Sequence, residues 1–355
     1  MLGRLAEHID KELFLQSLFK EIFDYEQMII DLFVSNSCNL NCQHCYFLDY
    51  RPQDNPLSLK KWGDIIDECI RAGIKHFHFS GKEPFCDSRV PELLDSLNRL
   101  ARTHSLRYGV VTNGTNITVD ELHRIINSNL SYLEFSLEGD ANYNYSIRKT
   151  DSFNCIYNLV KSLSNTSKIN ITSTYFGDNL HELANMIDEF RKIGVKKFNI
   201  APFMKYHDNE LKPLEELSVQ QMIDLVTHFR CYLKVAKNEA IDIRICFTKE
   251  QSYEMFLTEN SLTPDINHYI YDGERMIYQF GNSILEVNYP LLYIPFLKQM
   301  IITTDGFVIP CADDIHYNKL DEISIGSVKE QSLESILSTR KEYISSYVNY
   351  NLRTK

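Results

Sequence analysis

The sequence predicts a parallel-stranded α/β fold, namely a partial (βα)6 barrel with a C-terminal α+β extension. Between residues 29 and 205, short runs of β-branched or aromatic residues alternate with amphipathic stretches of helical periodicity. This alternation is typical of βα units whose strands pair in parallel and whose helices cover the sheet. With 355 residues and 44% hydrophobic composition, the chain is long enough to bury one large core or two ordinary ones.

Six strands and five helices are predicted in this region. The strands are Ile29–Ser35, Lys75–Ser80, Arg107–Thr112, Tyr132–Leu137, Ile169–Tyr175 and Lys196–Pro202. The helices are Leu57–Ala72, Val90–Thr103, Val119–Asn127, Phe153–Leu163 and Asn179–Ile193. Gly73 and Gly194 end two of the helices, because glycine readily takes the left-handed conformation that closes a helix. Parallel sheets bind ligands at the carboxyl ends of their strands, so we expect the functional site there.

The pattern changes after Pro202. The elements predicted beyond it are a helix at Ser218–Asn238, a strand at Asp242–Phe247, a hairpin at Gln299–Pro310 that turns at Asp305-Gly306, and a helix at Leu333–Tyr343. The aromatic-rich residues 253–295 fit neither periodicity. We therefore predict a short N-terminal helical segment, a partial barrel, and an extension that binds or covers the substrate, spanning residues 1–28, 29–215 and 216–355.

Charge and hydropathy argue against two classes of partner. The formal net charge is −11 and no basic stripe is present, so we expect no nucleic-acid partner. No apolar run approaches the roughly 18 residues that a membrane span needs, so we expect no membrane partner. The cysteine count is odd, at nine, and the start of the chain has no apolar signal-peptide core. Together these features predict a cytoplasmic protein with reduced thiols.

Three of the cysteines lie close together directly after the first predicted strand. Cys38, Cys42 and Cys45 fall within eight residues, and three thiolates on one loop can hold three irons of a 4Fe-4S cluster while the fourth iron stays open. Zinc is an alternative, although a structural zinc site wants four ligands and neither His44 nor a second cysteine pair completes the set. Three apolar packing cysteines are the remaining alternative.

The spacing Cys-x3-Cys-x2-Cys, followed by the aromatic residue Tyr46, resembles the motif of the radical S-adenosylmethionine (radical SAM) superfamily. Three further segments follow in the order found in that family. Ser80-Gly81-Lys82-Glu83-Pro84 resembles its Gly-Gly-Glu-Pro loop with Lys82 at the second glycine, and Thr112-Asn113-Gly114 resembles its Thr-Asn-Gly segment. Ser136-Leu-Glu138-Gly139, with Arg148 twelve residues after Ser136, resembles the Ser-x-Asp-Gly…Arg segment of peptide-modifying members, with Glu138 in place of Asp.

This resemblance implies a cofactor set and a chemistry. It implies one 4Fe-4S cluster on Cys38, Cys42 and Cys45, with S-adenosylmethionine bound at the open iron. The reduced cluster would cleave S-adenosylmethionine, and the resulting 5′-deoxyadenosyl radical would abstract a hydrogen atom from the substrate. The electron donor would be a flavodoxin-like or ferredoxin-like protein. The cofactor-binding residues that it implies are Tyr46, Gly81, Lys82, Glu83, Asn113, Ser136 and Arg148.

The C-terminal region resembles a SPASM or twitch extension, which usually binds auxiliary iron–sulfur clusters. Gly306-x4-Cys311 fits that pattern, but no cysteine lies in the dozen residues before Gly306 and none follows Cys311. We therefore expect no auxiliary cluster, and Cys311 to be a buried thiol or a hydrogen-atom donor to a substrate radical. The other five cysteines are predicted to be core residues: Cys69, Cys86, Cys155, Cys231 and Cys246.

Three functions are compatible with these features. The first is an oxidoreductase or maturase of the radical SAM type that modifies a peptide, which the Ser136…Arg148 segment favours. Only some 28 residues precede the first strand, so such a substrate would bind through a separate recognition protein or through residues 250–300. The second is a small-molecule enzyme, such as a sugar or cyclitol dehydrogenase or epimerase. The third is a non-enzymatic iron–sulfur or zinc-binding interaction protein.

Overall fold

The computed structural model describes residues 11–45, 47, 55–204, 216–248, 251, 269–271, 275–288, 297–311 and 323–353. Its helices in chain order, α1 to α9, are Lys11–Ile22, Leu59–Arg71, Arg89–His104, Val119–Ile126, Ala141–Arg148, Ser152–Lys161, Leu180–Lys192, Val219–Val235 and Leu333–Arg353. Its strands, β1 to β12, are Ile29–Phe33, His76–Phe79, Arg107–Thr112, Tyr132–Ser136, Ile169–Tyr175, Lys197–Pro202, Asp242–Cys246, Tyr269–Tyr271, Arg275–Phe280, Ser283–Asn288, Gln299–Thr303 and Val308–Ile309.

The chain divides into two compact units, each made of separate stretches of sequence. The first unit comprises Met1–Ser37, Asp49–Tyr108 and Leu292–Lys355, and the second comprises Cys38–Leu48 and Gly109–Leu291. The division after residues 28 and 215 remains a prediction from the sequence. Within the described residues, no helix is long and apolar enough to cross a membrane.

In the first unit, β1 is an inner strand with parallel neighbours on both sides. It pairs with β2 on one side and with β11 on the other, and β12 runs antiparallel to β11. The predicted hairpin at 299–310 is therefore confirmed. Its pairing with β1 was not predicted, and it follows from burial, because Ile30 and Leu32 of β1 and Met300 and Ile302 of β11 are all fully buried.

A helical layer in the same unit joins the two ends of the chain. Leu18 and Ile22 of α1 pack with Ile344 and Val348 of α9 in one buried apolar cluster. Leu297 and Cys311 complete this cluster. Helix α9 runs to Arg353, ten residues beyond the predicted end at Tyr343. The prediction fell short because the apolar positions Ile344 and Val348 are separated by mixed polar and aromatic residues.

In the second unit, five parallel strands follow one another in chain order. β3, β4, β5, β6 and β7 are successive neighbours, β10 pairs in parallel with β7, and β9 and β8 continue the sheet in antiparallel pairing. Side chains alternate between the two faces. On β5 the face with Ile169, Ile171 and Ser173 is buried, and Ser173 Oγ lies 3.7 Å from Met186 Sδ of α7. This face is therefore the one that the helices cover.

The prediction of a parallel α/β fold is confirmed. All six predicted strands and all five predicted helices before residue 205 are present, with ends that differ by one to two residues in most cases. Gly73 and Gly194 have φ values of 92° and 97°, as their predicted role at helix ends requires.

Four elements differ from the sequence predictions. Of the five cysteines predicted to be core residues, Cys69 is buried, Cys231 is exposed, and the other three are partly buried. Helix α5 was missed because its eight residues carry no long apolar stripe; the Asp140 side chain starts it by accepting from the backbone N–H groups of Asn142 and Tyr143. Strands β8 to β10 were missed because they lie in the aromatic-rich region 253–295, which as a whole fits neither periodicity. The prediction that Cys231 is a core residue was wrong. It is exposed, because the buried positions Phe229 and Leu233 put it on the opposite side of α8.

Candidate functional site

The three clustered cysteines lie on the segment we call the cysteine loop, residues 38–45, in the second unit. Cys42 is buried, Cys45 is partly buried and Cys38 is exposed. The Cys45 N–H donates to the Cys42 carbonyl at 3.2 Å, and the Leu40 N–H donates to Cys38 Sγ at 3.4 Å. Burial raises the pKa of the Cys42 thiol to about 11, and Arg148 opposes this while Cys45 and Cys38 add to it. The three thiols are therefore close enough to interact electrostatically.

The end of β3 holds the start of this loop. Asn113 Nδ2 lies 3.7 Å from Cys38 Sγ and donates to Asn39 Oδ1 at 2.9 Å. Asn39 in turn donates to Thr115 Oγ1 at 2.7 Å. Gly114 has φ of 71°, and a Cβ there would lie 2.5 Å from the side chain of Ile156. The Thr-Asn-Gly segment thus requires its glycine and positions its asparagine against the cysteine loop.

A buried carboxylate joins the cysteine loop to Arg148. Glu138 is 1% exposed and Arg148 is 7% exposed. Glu138 Oε1 accepts from Arg148 Nη2 at 2.5 Å and lies 3.1 Å from His44 Nε2, while Glu138 Oε2 accepts from the Thr174 N–H at 2.7 Å. Arg148 Nη1 lies 4.0 Å from Cys42 Sγ. Arg148 is therefore an inward-facing partner of the cysteine loop and not a surface charge.

The same contacts decide the charge states of this ion pair. Burial opposes ionisation of Glu138, but the neighbouring His44 and Arg148 and the hydrogen bonds that Glu138 accepts outweigh it, so the pKa of Glu138 falls well below its usual range. Burial likewise works against the charge of Arg148, but Glu138 and then Cys42 outweigh it and raise the pKa of Arg148. Both groups are therefore charged at neutral pH.

The backbone of Glu138 is held as firmly as its side chain. The Glu138 N–H donates to Asn144 Oδ1 at 3.0 Å, and the Glu138 carbonyl accepts from Asn179 Nδ2 at 3.0 Å. Asn144 and Asn179 are fully buried, and Asn144 also donates to Ser152 Oγ at 2.8 Å. Asn144 of α5 and Asn179, the residue before α7, thus fix the backbone at Glu138, and Ser152 of α6 holds Asn144.

Buried polar atoms around the cysteine loop fit a bound polar group. Gln43 Oε1, His44 Nδ1 and Arg148 Nε are buried and have no hydrogen-bond partner within the part of the chain that the structure describes. Over the same residues, no three His, Cys, Asp or Glu side chains converge so as to hold a single metal ion. A cubane cluster does not need such convergence, because each thiolate binds a different iron. The loop therefore fits a cluster better than a zinc ion.

Three further predicted cofactor contacts belong to the first unit, and a fourth falls outside the described residues. Gly81, Lys82 and Glu83 are in the first unit, where Gly81 has φ of 91° and a Cβ there would lie 2.9 Å from Phe33. Glu83 is 3% exposed; its N–H donates to the Ser37 carbonyl and its carboxylate accepts from the Phe85 N–H, both at 3.1 Å. Lys82 is partly buried. Tyr46 lies outside the described residues.

The sheet face opposite the helices of the second unit is polar. Five polar residues occupy the same level on five neighbouring strands, which we call the polar row: Ser136, Thr172, Asn199, Arg244 and Glu286. Asn199 Nδ2 donates to Glu134 Oε2 at 2.6 Å, and Arg244 Nε lies 3.2 Å from Glu286 Oε1. This face therefore presents donors, acceptors and both signs of charge.

Family models match two parts of the chain. The model for the radical SAM superfamily matches residues 32–203, and the model for SPASM, an iron-sulfur cluster-binding domain, matches residues 296–353. The chain belongs to the radical SAM superfamily. The matched regions contain the cysteine loop and Glu138 in the first case and Cys311 in the second.

Two curated relatives are similar to part of the chain. It is 28% identical over 112 residues to the PqqA peptide cyclase of Streptomyces rochei (31% of this chain, 29% of the relative). It is 32% identical over 116 residues to the Fe-coproporphyrin III synthase of Methanosarcina barkeri (32% of this chain, 28% of the relative). The chain thus spans under a third of the length of these relatives.

Similarity to solved structures covers more of the chain than similarity to the curated relatives does. SuiB of Streptococcus suis, solved with its precursor peptide SuiA, has a TM-score of 0.66 at 16% identity, over 90% of this chain and 66% of SuiB. SuiB has also been solved with S-adenosylmethionine, and that structure has a TM-score of 0.67 at 15% identity, over 91% of this chain and 68% of SuiB. At such identities the likeness concerns the fold.

The SPASM region does not fit an auxiliary cluster held by cysteines. Cys311 is the only cysteine between residues 296 and 353. Its side chain is fully buried in the apolar cluster formed by α1, α9 and Leu297. One thiol cannot supply the four ligands that such clusters usually take from cysteines.

The partners of Glu138 are not evident from the sequence. The sequence offers His44 only as a zinc ligand, and no pattern points to Asn144 or Asn179. The signal that was available is the substitution of Glu for Asp at residue 138, since the longer side chain can reach two loops at once. The partners lie up to 94 residues away along the chain, so no local pattern joins them.

Proposed function

We propose that the protein is a radical SAM enzyme that modifies a peptide. The observation that carries the proposal is the cysteine loop, whose buried Cys42 lies 4.0 Å from the buried guanidinium of Arg148. When bound, a reduced cluster and S-adenosylmethionine supply one-electron bond cleavage and a radical that removes a hydrogen atom from the substrate. The chain's own residues hold, orient and shield these groups.

Cys38, Cys42 and Cys45 are proposed to hold one 4Fe-4S cluster, the only cluster in the chain. The lack of a second cysteine in the SPASM region supports this count. Cys311 then has a packing role between α1 and α9. All nine cysteines are free thiols, which is consistent with our proposal of a reducing compartment such as the cytoplasm.

Arg148, Ser136 and Asn113 are proposed to bind S-adenosylmethionine. The unpartnered Nε of Arg148 supports this role, because a guanidinium with one arm on Glu138 keeps a second donor for a ligand carboxylate. Ser136 lies on the polar row, at the end of β4. The roles of Tyr46, Gly81, Lys82 and Glu83 rest on the family motif.

A peptide is the proposed substrate because two relatives act on or bind peptides by name, the PqqA peptide cyclase and SuiB with its precursor peptide. The polar row suits such a substrate, since backbone amides need both donors and acceptors. A small molecule is the second candidate, and the likeness to Fe-coproporphyrin III synthase favours it. An electron donor and a separate recognition protein are the proposed partners.

The proposal is tested by cofactor cleavage. The full chain is reconstituted anaerobically with iron and sulfide, reduced with dithionite and incubated with S-adenosylmethionine, and methionine and 5′-deoxyadenosine are quantified. We expect both products with the wild type and none above background with Cys42→Ala. Cys69→Ala is the matched control, since Cys69 is fully buried in α2 and far along the chain from the loop.

The substrate class is decided by adding candidates to the same assay. Faster 5′-deoxyadenosine formation with a peptide encoded by a neighbouring gene supports the peptide proposal. Stimulation by a sugar, cyclitol or porphyrin, and by no peptide, supports the small-molecule candidate. Absence of cleavage by a wild-type chain that has bound iron contradicts both.

A further inference from the structure

Glu138 contacts the cysteine loop from two directions. Its Oε1 atom is shared by Arg148, at 2.5 Å, and His44, at 3.1 Å. His44 is itself part of the loop, between Cys42 and Cys45, and Arg148 touches Cys42 Sγ. The Glu138 carboxylate thus contacts the cysteine loop through His44, and it also holds the Arg148 guanidinium beside the Cys42 thiol.

The position of this carboxylate is fixed by hydrogen bonds from the chain's own groups. Both oxygens are occupied, since Oε2 accepts from the Thr174 N–H of β5. The backbone of Glu138 is held by Asn144 and Asn179, which are fully buried. A charge that is buried and held at every polar atom cannot move away when the charge of its neighbours changes.

Charges at this depth act strongly on an iron–sulfur cluster. The reduction potential of such clusters depends on net charge, on hydrogen bonds to the sulfurs and on solvent exposure. Arg148 brings a positive charge and an N–H group to Cys42 Sγ, which favours the reduced cluster. Glu138 brings a negative charge behind Arg148, which favours the oxidised cluster. Low local polarity weakens the screening of both charges.

The geometry points to Glu138 as a positioning residue that sets the reduction potential of the cluster by holding Arg148 against Cys42 and His44 within the loop. This inference rests on the proposed function, because it requires a cluster on the cysteine loop. It assigns roles that the family motif does not give, namely the coupling of Glu138 to His44 and the opposing effects of Glu138 and Arg148.

The test is a redox titration of the reconstituted full chain with dithionite. The EPR signal of the reduced cluster is the readout. Glu138→Gln removes a negative charge with little change of shape, and the midpoint potential should shift in the positive direction. Arg148→Gln removes a positive charge, and the midpoint should shift in the negative direction. Arg148→Lys keeps the charge and should shift the midpoint less than Arg148→Gln. The double variant Glu138→Gln with Arg148→Gln should return towards the wild type.

The control is Asp188→Asn, which breaks a carboxylate–guanidinium pair with Arg191 at 2.7 Å on α7 and should leave the midpoint unchanged. Shifts of the two single variants in the same direction, or no shift with full iron content, would overturn the inference. If a single variant loses iron, recovery of iron in the double variant supports the charge coupling and failure to recover it overturns the inference. A wild type that binds no cluster contradicts the proposed function itself. A wild type that binds a cluster, together with variants whose midpoint potentials do not shift, contradicts only the inference about Glu138.

Discussion

Cys311 is the residue on which the number of clusters depends. It is the only cysteine of the SPASM region, and its thiol is fully buried among apolar side chains of α1 and α9. We expect Cys311→Ala to keep the wild-type iron content of about four per chain, the number in one cubane cluster. The cost should be about 1 kcal/mol of unfolding free energy, as for a small core truncation. Iron and sulfide analysis after anaerobic reconstitution measures the first, and a denaturant titration measures the second.

The outcome that contradicts this prediction is a fall in iron content in Cys311→Ala with an unchanged denaturation midpoint. That result would make Cys311 a ligand and would require oxygen or nitrogen ligands from other parts of the chain. Cys38→Ala in the same assay is the positive control, because it removes a proposed ligand and should abolish iron binding.

His76 gives the protein a pH-dependent stability. Burial lowers the pKa of His76 to about 4, from 6.5, and the neighbouring charge of Arg107 adds to this. Below pH 6.5 the unfolded chain binds a proton at this residue while the folded chain does not, so unfolding becomes easier as the pH falls. We expect the free energy of unfolding to drop by about 2 kcal/mol more in the wild type than in His76→Gln between about pH 7.5 and about pH 5.

Denaturant titrations at a series of pH values measure this difference. His104→Gln is the matched control, since His104 is exposed at the end of α3 and its replacement should leave the wild-type slope unchanged. Equal slopes for the wild type and His76→Gln would contradict the prediction.

At the scale of elements, the sheet of the second unit separates an apolar face from a polar one. The polar row presents Arg244 with its side chain about half exposed and paired to Glu286. If this face contacts the substrate, Arg244→Ala should raise the KM for the stimulating substrate by roughly tenfold, the effect of losing one charged hydrogen bond. The rate of S-adenosylmethionine cleavage without substrate should stay unchanged, because the ion pair that Arg244 forms among the described residues is with Glu286.

Product formation at increasing substrate concentration separates these effects. Lys60→Ala is the control, as Lys60 forms an exposed ion pair with Asp64 on α2 and should leave both rates unchanged. An unchanged KM for Arg244→Ala would remove this face from the substrate site.

Helices and strands could be predicted from the sequence where apolar and polar residues alternate with a regular period. The six strands from β1 to β6 could be predicted because each is a short β-branched or aromatic run beside an amphipathic helix. Helix α5 could not be, because its start is set by the Asp140 cap and its buried side of Asn144, Ile147 and Arg148 is half polar. It carries Arg148, so the position of this site residue could not be derived from periodicity.

Some residues of the site could be predicted from the sequence and others could not. Cys38, Cys42 and Cys45 could be predicted because they lie on one short segment with a distinctive spacing. The contacts of Glu138 with His44 and Thr174 could not, since they join three segments that only the folded sheet brings together. Sequence order identified the parts of the site, and tertiary structure decided which of them touch.

At the scale of the whole molecule, the first unit depends on both ends of the chain. β11 pairs with β1, and α9 packs on α1 through Ile344 and Val348. A chain that ends at residue 291 would lack β11 and α9, and it would expose an edge of β1 and the apolar side of α1. We expect this truncated chain to lose cooperative unfolding, as measured by circular dichroism and limited proteolysis.

A point variant tests the same dependence without deletion. Ile344→Asp puts a charge in the buried cluster and should destabilise the chain by several kcal/mol, about the cost of an unpaired buried charge. Ser346→Asp on the exposed side of α9 is the matched control and should change the unfolding free energy by less than about 0.5 kcal/mol. A cooperative transition in the truncated chain at the wild-type midpoint would contradict the prediction.

The exposed position of Cys231 has a practical consequence for handling the protein in air. Cys38 and Cys231 are the two exposed thiols, and iron would hold the first. Oxidation should therefore join two chains through Cys231, giving a disulfide-linked dimer that is visible by non-reducing electrophoresis. Cys231→Ser should abolish this dimer and keep the iron content, and the native thiol offers a single attachment point for a fluorophore or an electrode surface.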